Sequence, residues 1–325
     1  MFQTLIMASM QGSPLTKGAK AAFIETMKSP LFWPVIALVT AVLIWGIVPS
    51  MIRSLALATG PGDSVFIRMW ANAICSLPLL FFSGWRIERS DWLRMVFLGC
   101  ACNFGYYLGS IYGFANLSAG AGGMLYATNP LMIVGLAVAL GQERISLTVI
   151  LGMAISFAGT VYLFSGGLGG GGGNPLFGGL VMLGACFSWA LYAIFVKPMV
   201  RKYGPLRVTL YTTMLPAIPA TLFLNAGTAS IFTHLSVRSL WELGLMAAVG
   251  TIFSVNLWNY AAIHLKPSST GASLYLIPPG VALFGYVVLQ ETTGPQTLIG
   301  GFIIMIGVAV AEFGKSFTAL KARTT

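Results

Sequence analysis

The sequence predicts an all-α polytopic membrane protein with ten transmembrane helices, from three observations. Of its 325 residues, 57% are hydrophobic and only 8% are charged, and the mean hydropathy is +0.84. A soluble domain has about 25% charged residues, so this chain cannot cover a surface that faces water. Apolar runs of about 20 residues recur along the chain, each long enough to cross the hydrocarbon core as a helix. A β-barrel would show short alternating segments instead.

Ten apolar segments with short connections define the predicted elements. We predict spans at residues 33–54, 64–83, 92–115, 119–140, 146–164, 177–197, 206–225, 240–263, 268–289 and 295–314. Residues 1–31 lack the charged start, apolar middle and cleavage site of a signal peptide, so they are predicted to form a cytoplasmic leader. Two five-helix units, 32–165 and 176–315, are predicted around a Gly-rich outer linker at 166–175, with a cytoplasmic tail at 316–325.

Basic residues predict the orientation of the spans. The chain has a net charge of +10. If the N-terminus lies inside, all Lys and Arg residues except Arg53, Arg68 and Arg238 fall on the inner side. The positive-inside rule then places both termini in the cytoplasm, as an even number of spans requires. We expect the plasma (inner) membrane as the location, and topology rather than nucleic-acid binding as the reason for the basic charge.

The two halves of the chain repeat each other. Residues 122–146 and 270–294 align without a gap at an offset of 148, and further matches keep an offset of 144. The informative matches are Gly123/Gly271, Pro130/Pro278, Gln142/Gln290, Glu143/Glu291, Trp45/Trp189, Gly60/Gly204 and Pro61/Pro205. Because each half holds an odd number of spans, the second half is predicted to enter the membrane upside down. This predicts a 5+5 inverted-topology repeat, a recurring design of secondary transporters.

Prolines stand inside the predicted spans. Pro130 and Pro278 lie near the centres of the fourth and ninth spans. Proline removes one backbone hydrogen bond and frees the carbonyl four residues earlier, so the carbonyls of Tyr126, Leu274 and Tyr275 should need other partners. We predict hinges that line a cavity at Pro49, Pro130, Pro278 and Pro279; kinks that only shape helix packing are the alternative.

Polar and aromatic residues share faces of the third and eighth spans. Asn103, Tyr106, Tyr107 and Ser110 have helical spacing, as do Asn256, Asn259 and Tyr260. An Asn inside a bilayer needs a partner, which is either another helix or a ligand, and both remain open. Aromatic rings suit a planar or zwitterionic solute through stacking and cation–π contacts.

The predicted substrate-binding set combines these faces with aromatic residues of other spans and with three cations. It comprises Trp45, Arg53, Arg68, Asn103, Tyr106, Tyr107, Ser110, Tyr126, Asn129, Trp189, Tyr192, Lys197, Asn256, Asn259, Tyr260 and Tyr275. Arg53 and Arg68 are expected near the outer mouth of one pathway, and Lys197 near the inner mouth, where they attract an anionic group such as a carboxylate. The alternative is that these cations extend to lipid headgroups.

Several short segments of the sequence together resemble a known family. They are LIWGIVPSMIR and FSWALYAIFVK, YGFANLSAG and NYAAIHLKPSS, and the GQERIS box after the fourth span. In order and spacing they resemble the drug/metabolite transporter superfamily, with two EamA-type domains in tandem. LQETTG lacks the basic residue usual after the Glu of that box. The resemblance implies a 5+5 inverted-repeat fold that moves small organic solutes and often exports amino acids or other metabolites.

The predicted function is secondary transport, by export or facilitation, around a midplane cavity. All acidic residues lie in loops or near span ends, which favours facilitated diffusion or exchange over a proton or sodium pump. Two separated His residues and four Cys without a CxxC motif predict no metal and no cofactor. A membrane-embedded lipid-modifying enzyme, or a sensor or scaffold, is the alternative. Expected partners are a small solute and the bilayer, with the chain as a monomer or homodimer.

Overall fold

A computed structural model describes residues 30–142, 147–165, 173–225, 228, 235–265, 270–271, 273–290 and 294–321. These residues form ten helical segments and no β-strand. The first five are α1 (Phe32–Thr59), α2 (Pro61–Ser83), α3 (Trp92–Val96, Phe97–Asn103 and Phe104–Asn116), α4 (Ala119–Ala139) and α5 (Leu147–Ser165). The second five are α6 (Pro175–Tyr203), α7 (Pro205–Met214, Ala217–Ala220 and Thr221–Phe223), α8 (Val237–His264), α9 (Leu274–Leu276 and Ile277–Leu289) and α10 (Pro295–Lys321).

Each predicted span overlaps one of these helices. Among the described residues, α1, α2, α4, α6 and α8 are long and apolar enough to cross a membrane, and α5 and α10 contain shorter apolar stretches. The helices α1 and α10 continue beyond the predicted edges, to Thr59 and Lys321. The leader up to residue 29, linker residues 166–172, Glu143 and Glu291 lie outside the described residues.

Repeated residues adopt the same local backbone in both halves. Gly60 and Gly204 have φ of 80° and 82°, and each is followed by a proline that begins the next helix. Glycine reaches positive φ without a Cβ clash, and proline fits the first helical position. The π-helical stretches Phe97–Asn103 and Met246–Phe253 also take matching places in α3 and α8.

The central prolines lie directly after 3-10 turns. The turn Tyr126–Thr128 precedes Pro130, and Leu274–Leu276 precedes Pro278. Two of the carbonyls expected to need other partners have them: the Tyr126 carbonyl accepts from the N–H of Asn129, and the Leu274 carbonyl accepts from that of Ile277. The tighter turn restores a partner three residues on, so the break costs few backbone hydrogen bonds.

Pro49 and Pro279 give different outcomes for the hinge prediction. The helix α1 continues through Pro49, which is buried. The backbone at Pro279 belongs to α9, and its side chain lies outside the described ones. A break in the α-helix therefore accompanies Pro130 and Pro278, whereas α1 is unbroken at Pro49.

Most packing joins one half of the chain to the other. The helix α3 packs on α6 and α1 packs on α8, while α4 contacts α6 and α1 contacts α9. Each of these contacts has its counterpart when the two halves are exchanged, because α1 corresponds to α6 and α3 to α8. The pairs α2–α7, α4–α9 and α5–α10 join corresponding helices.

Corresponding helices run antiparallel to each other. In α5 and α10, Ser156 donates to the Ile304 carbonyl at 3.0 Å, and a Cβ on Gly307 would lie 2.6 Å from the Gly152 carbonyl. In α4 and α9, Gly285 lies against Ala119. Such close approaches require glycine or another small residue at the contact.

Hydrogen bonds tie the helices together at one end of the bundle, the linker end. There Asn116, at the end of α3, accepts from the backbone N–H of Asn174, which caps α6, at 2.9 Å. Asp63, near the start of α2, accepts from Asn225 at 3.1 Å and from Thr228 at 2.7 Å, both beyond the end of α7. The linker end therefore joins α3 to α6 and α2 to the segment after α7.

A charged network closes the opposite end, the charged end. Lys202 of α6 lies 2.6 Å from Glu88 and 2.7 Å from Asp91, and Tyr203 donates to Asp91 at 2.7 Å. Hydrogen bonds from Lys202 and Tyr203 hold the pKa of the Asp91 carboxyl below its usual value. Arg207, at the start of α7, donates to the Ser83 carbonyl at the end of α2 at 2.6 Å.

Candidate functional site

Three tryptophans from three helices meet in the middle of the bundle. Trp45 of α1 lies edge-on to Trp189 of α6, with ring centroids 5.2 Å apart, and Trp258 of α8 is 5.3 and 5.7 Å from the two. The Trp45 indole N–H lies 2.7 Å from the Ser254 hydroxyl and 3.1 Å from the Gly250 carbonyl. Trp45 and Trp189 are the pair that the repeat predicts to correspond.

Tyrosines extend this group on the side of α3 and α4. The ring of Tyr106 is 5.2 Å from Trp189 and 6.2 Å from Tyr126. The Tyr126 hydroxyl donates to Ser110 at 3.0 Å, and Ser110 donates to the Tyr106 carbonyl at 2.6 Å. We call the eight rings Trp45, Tyr106, Tyr107, Phe114, Tyr126, Trp189, Tyr192 and Trp258 the aromatic cluster.

A polar network, hydrogen-bonded within the protein, lies on the other side of Trp189. Asn259 of α8 is completely buried, and its amide N–H₂ donates to the Tyr192 hydroxyl and to Thr209, each at 2.9 Å. Tyr192 also lies 3.3 Å from the Thr212 hydroxyl. Of the two predicted kinds of partner for Asn259, another helix or a ligand, this structure shows the first, because its amide is bonded to α6 and α7. Asn103 behaves likewise and donates to the Thr212 carbonyl at 2.9 Å.

Arg68 and Asn72, by contrast, are buried with side-chain atoms that have no hydrogen-bond partner among the described residues. Arg68 is 2% exposed, and its guanidinium carbon lies 4.9 Å from the centre of the Tyr107 ring. Within the described part of the chain, its Nε and Nη1 have no hydrogen-bond partner. Asn72, one turn further along α2, is fully buried with both amide atoms unpaired. Arg68 was predicted near the outer mouth of a pathway, and in this structure it is buried where α2 packs on α3, α7 and α8.

Arg53 is also buried, for a different reason. It is 3% exposed, and its Nη1 donates to the carbonyls of Phe114 and Leu117 at 2.7 and 2.5 Å. These acceptors stand at the end of α3, where helix carbonyls lack intrahelical partners and a cation is favoured. Arg53 was predicted near the outer mouth of a pathway, and in this structure it is buried against the end of α3.

The other residues of the predicted substrate-binding set lie at separate places in the structure. Asn129 is buried with an unpaired Oδ1, and the half-buried Asn256 has an unpaired Oδ1 as well. The ring of Tyr260 contacts His264 at 4.6 Å, away from the aromatic cluster. Lys197 is half-buried on α6. The side chain of Tyr275 lies outside the described ones.

Several site residues were absent from the predicted set. Asn72 lies beside Arg68, and Thr209, Thr212 and Ser254 lie at the aromatic cluster. A usable signal existed for Asn72, because its spacing from Arg68 places both on one face of α2. Thr209 and Thr212 gave none, since hydroxyls that bond to their own helix are common in apolar helices. The described residues contain no group of three His, Cys, Asp or Glu that could hold a metal.

The sequence is similar to those of known membrane transporters. The EamA-like transporter family matches residues 32–165 and again 176–313. The chain belongs to that family. A probable terminal-alkyne amino-acid exporter of Streptantibioticus cattleyicolor is 30% identical over 248 residues, covering 73% of this chain and 78% of that protein.

Other relatives of this EamA-like transporter are more distant. An uncharacterized transporter of Archaeoglobus fulgidus is 24% identical and covers 86% of the chain and 97% of its own length. A WAT1-related chloroplastic protein of Arabidopsis thaliana is 21% identical over 93% of the chain and 73% of that protein. One solved crystal structure superposes with a TM-score of 0.59 at 18% identity, covering 86% of this chain and 96% of the other, which shows a shared fold. The relatives from Streptantibioticus cattleyicolor and Archaeoglobus fulgidus are named as an exporter and a transporter, and the family is one of membrane transporters rather than enzymes.

Proposed function

We propose that this EamA-like transporter moves small organic solutes such as amino acids by alternating access around the aromatic cluster. The main support for the proposal is that both halves of the chain contribute rings to the aromatic cluster. Trp45 and Tyr106 belong to the first half, and Trp189 and Trp258 belong to the second. A site built from both halves changes shape when one half moves against the other, which is how inverted-repeat transporters alternate access.

The architecture behind this proposal is a 5+5 inverted repeat with ten spans. Antiparallel contact between corresponding helices supports it, as do the matching glycine–proline turns and π-helical stretches. The linker end and the charged end then form two gates, at opposite sides of the membrane. We assign the linker end to the outside and both termini to the cytoplasm of a plasma (inner) membrane, on the distribution of Lys and Arg.

Amino acids as cargo rest on two supports. The relative from Streptantibioticus cattleyicolor is named as an exporter of terminal-alkyne amino acids. The aromatic cluster offers ring faces that attract an ammonium group and pack against an apolar side chain. We propose export or facilitation, because the acidic residues of the sequence lie in loops or near span ends and not where a coupling proton or sodium ion would bind inside the membrane.

Solute counterflow into proteoliposomes tests the transport. Purified protein should exchange labelled L-phenylalanine or L-propargylglycine saturably. Trp189→Ala removes a 4% exposed ring from the cluster and should lower the rate at least tenfold, whereas Trp241→Ala, at a side chain 67% exposed on α8, should not. Trp189→Phe guards against misfolding, because it keeps an aromatic ring in place. Absence of saturable exchange for every amino acid tested would reject this cargo, and an equal loss in both Trp→Ala variants would reject the cluster as the site.

The orientation has its own test in intact cells. A cysteine replacing Asn174 at the linker end should react with an impermeant thiol reagent added outside. A cysteine replacing Arg201, an exposed residue near the charged end, should react only after the membrane is opened. Reversed labelling would overturn the proposed sidedness, and labelling of both sites from outside would overturn the assignment of the two ends to opposite faces.

A further inference from the structure

We propose that Arg68, lying over the Tyr107 ring with Asn72 beside it, is the subsite that binds the carboxylate of the transported solute. This rests on the proposed function and specifies which group of the cargo the protein recognises. The carboxylate would meet the guanidinium inside the bundle, next to the aromatic cluster, and not at a membrane surface.

The first argument is the state of the charge. An arginine stays protonated in proteins, and burying a charge without a partner is strongly unfavourable. Arg68 is 2% exposed and forms no ion pair among the described residues. Asp63, one helical turn and a half earlier on α2, accepts from Asn225 and Thr228 instead. A contact with the Tyr107 ring at 4.9 Å contributes some stabilisation but leaves Nε and Nη1 unbonded.

The second argument is the density of unsatisfied groups on one face of α2. Asn72 follows Arg68 by four residues, so the two side chains are neighbours on the helix. Together they carry four buried nitrogen and oxygen atoms without a partner: Nε and Nη1 of Arg68, and Nδ2 and Oδ1 of Asn72. Three of these are N–H donors, and an anion that accepts hydrogen bonds satisfies donors of this kind. Native interiors seldom leave such a concentration unpaired, so a bound partner such as water, an ion or a ligand is expected to complete it.

The third argument is a comparison with the corresponding place in the other half. At an offset of 144, Arg68 corresponds to Thr212 of α7. Thr212 bonds to Tyr192 and to its own helix, and it accepts from Asn103 at its carbonyl, so that side of the core is closed by protein groups. At this pair of corresponding positions, the first half thus has a cation with unpaired N–H groups, whereas the second half has a hydroxyl bonded within the protein. An asymmetric ligand with one anionic end fits this difference between the halves.

The position also suits an amphipathic solute. Tyr107 adjoins Tyr106 at 5.3 Å between ring centroids, and Tyr106 adjoins Trp189 at 5.2 Å. Arg68 is therefore connected to the aromatic cluster through two rings. A carboxylate at Arg68 would place the rest of a small solute against the faces of these rings, where an ammonium group or an apolar side chain is favoured.

Ligand binding measured separately from transport tests the subsite. Purified protein in detergent is titrated with pairs of acids and their primary amides: L-phenylalanine and its amide, L-propargylglycine and its amide, and benzoate and benzamide. The readouts are the thermal midpoint and the quenching of tryptophan fluorescence. Wild type should bind at least one acid ten or more times tighter than its amide, and Arg68→Gln should reduce that preference to less than threefold.

Two further variants separate recognition from folding. Arg68→Lys keeps the charge without the planar fork, so it should retain an intermediate preference. Arg89→Gln, at an exposed arginine before α3, should keep the wild-type preference. Without ligand, Arg68→Gln should be at least as stable as wild type, because it removes a buried unpaired charge. If Arg68→Gln does not fold, the preference for acids over amides in Arg68→Lys is compared with that in Arg89→Gln, and this comparison decides.

The outcomes distinguish this inference from the proposed function. A preference for acids that survives in both Arg68 variants, or no preference in wild type, overturns the carboxylate subsite even if transport is observed. Equal stabilisation of wild type by chloride or phosphate overturns the assignment to a carboxylate. A preference that depends on Arg68 without any counterflow supports the subsite and rejects transport of these solutes.

Discussion

Replacing each of two asparagines on α8 by leucine should have opposite effects. Asn259 and Asn256 lie one turn apart and share the predicted polar face. Asn259 donates two hydrogen bonds of 2.9 Å, to Tyr192 and Thr209, whereas the Oδ1 of Asn256 is buried without a partner. The substitution Asn259→Leu removes both bonds, and Asn256→Leu removes an unsatisfied acceptor.

The magnitudes follow from these contacts. Hydrogen bonds between membrane helices contribute about 0.6 kcal/mol on average and at most about 1.7 kcal/mol. Two of them therefore account for about 1–3 kcal/mol. Leaving the Thr209 hydroxyl buried without its donor adds about 1 kcal/mol or more. We expect Asn259→Leu to lower the free energy of unfolding by about 2–4 kcal/mol, and Asn256→Leu to leave it unchanged or raise it by about 1 kcal/mol.

Denaturation of the purified protein in SDS–detergent mixtures measures both variants. The fraction folded is followed by tryptophan fluorescence, with reversibility checked by dilution back into detergent. Equal destabilisation by the two substitutions would refute the reasoning, because it would mean that helix packing and not hydrogen bonding decides their cost. A larger loss for Asn256→Leu would show that its amide has a protein partner.

Three other predictions concern the helix breaks, the charged end and the α5–α10 contact. Pro130→Ala and Pro278→Ala should slow counterflow while leaving the thermal midpoint equal or higher, since alanine lets the α-helix replace the 3-10 turn; unchanged flux in both would make these prolines packing residues. The Asp91 carboxylate has a lowered folded pKa, so its stabilising effect is present above the ordinary pKa of about 3.8 and is lost as the pH falls through the lower folded value; in Asp91→Asn this step should be missing from a stability titration. Gly307→Ala should cost about 1–3 kcal/mol of unfolding free energy, because its Cβ would lie 2.5 Å from the Ser156 nitrogen, while Gly244→Ala, with open space around it, should cost nothing; equal stabilities would refute the close contact.

The sequence predicted the helices well because hydrophobic length and periodicity are local properties. Each predicted span overlaps a helix, and glycine–proline turns at 60–61 and 204–205 give the same boundary in both halves. The family resemblance is confirmed by the match over residues 32–165 and 176–313. Of the predicted aromatic residues, Trp45, Trp189 and four tyrosines meet in the cluster, whereas Tyr260 lies away from it, and their role in binding stays a prediction.

The surroundings of the two arginines could not be predicted from the sequence. Arg53 and Arg68 look alike in the chain, as single cations near span ends. Only the packing of distant helices distinguishes them: α3 brings two carbonyls to Arg53 and an aromatic ring to Arg68. Asn103 bonds to Thr212 of α7, 109 residues away, and Asn259 bonds to Tyr192 of α6 and Thr209 of α7, 67 and 50 residues away. Such contacts depend on how distant helices pack, and the hydropathy of the sequence does not indicate this.

The interleaving of the two halves has a consequence for how the chain is made in the cell. The helices α1, α3 and α5 find their main partners in α8, α6 and α10, which leave the ribosome later. After the first half has been inserted, its core faces lack these partners, and Asn103 still lacks its acceptor on α7. The helices of the first half must therefore stay in the lipid, or beside the insertion machinery, without these partners until synthesis is nearly complete. A nascent chain that stalls within the second half should be a favoured substrate for membrane quality-control proteases.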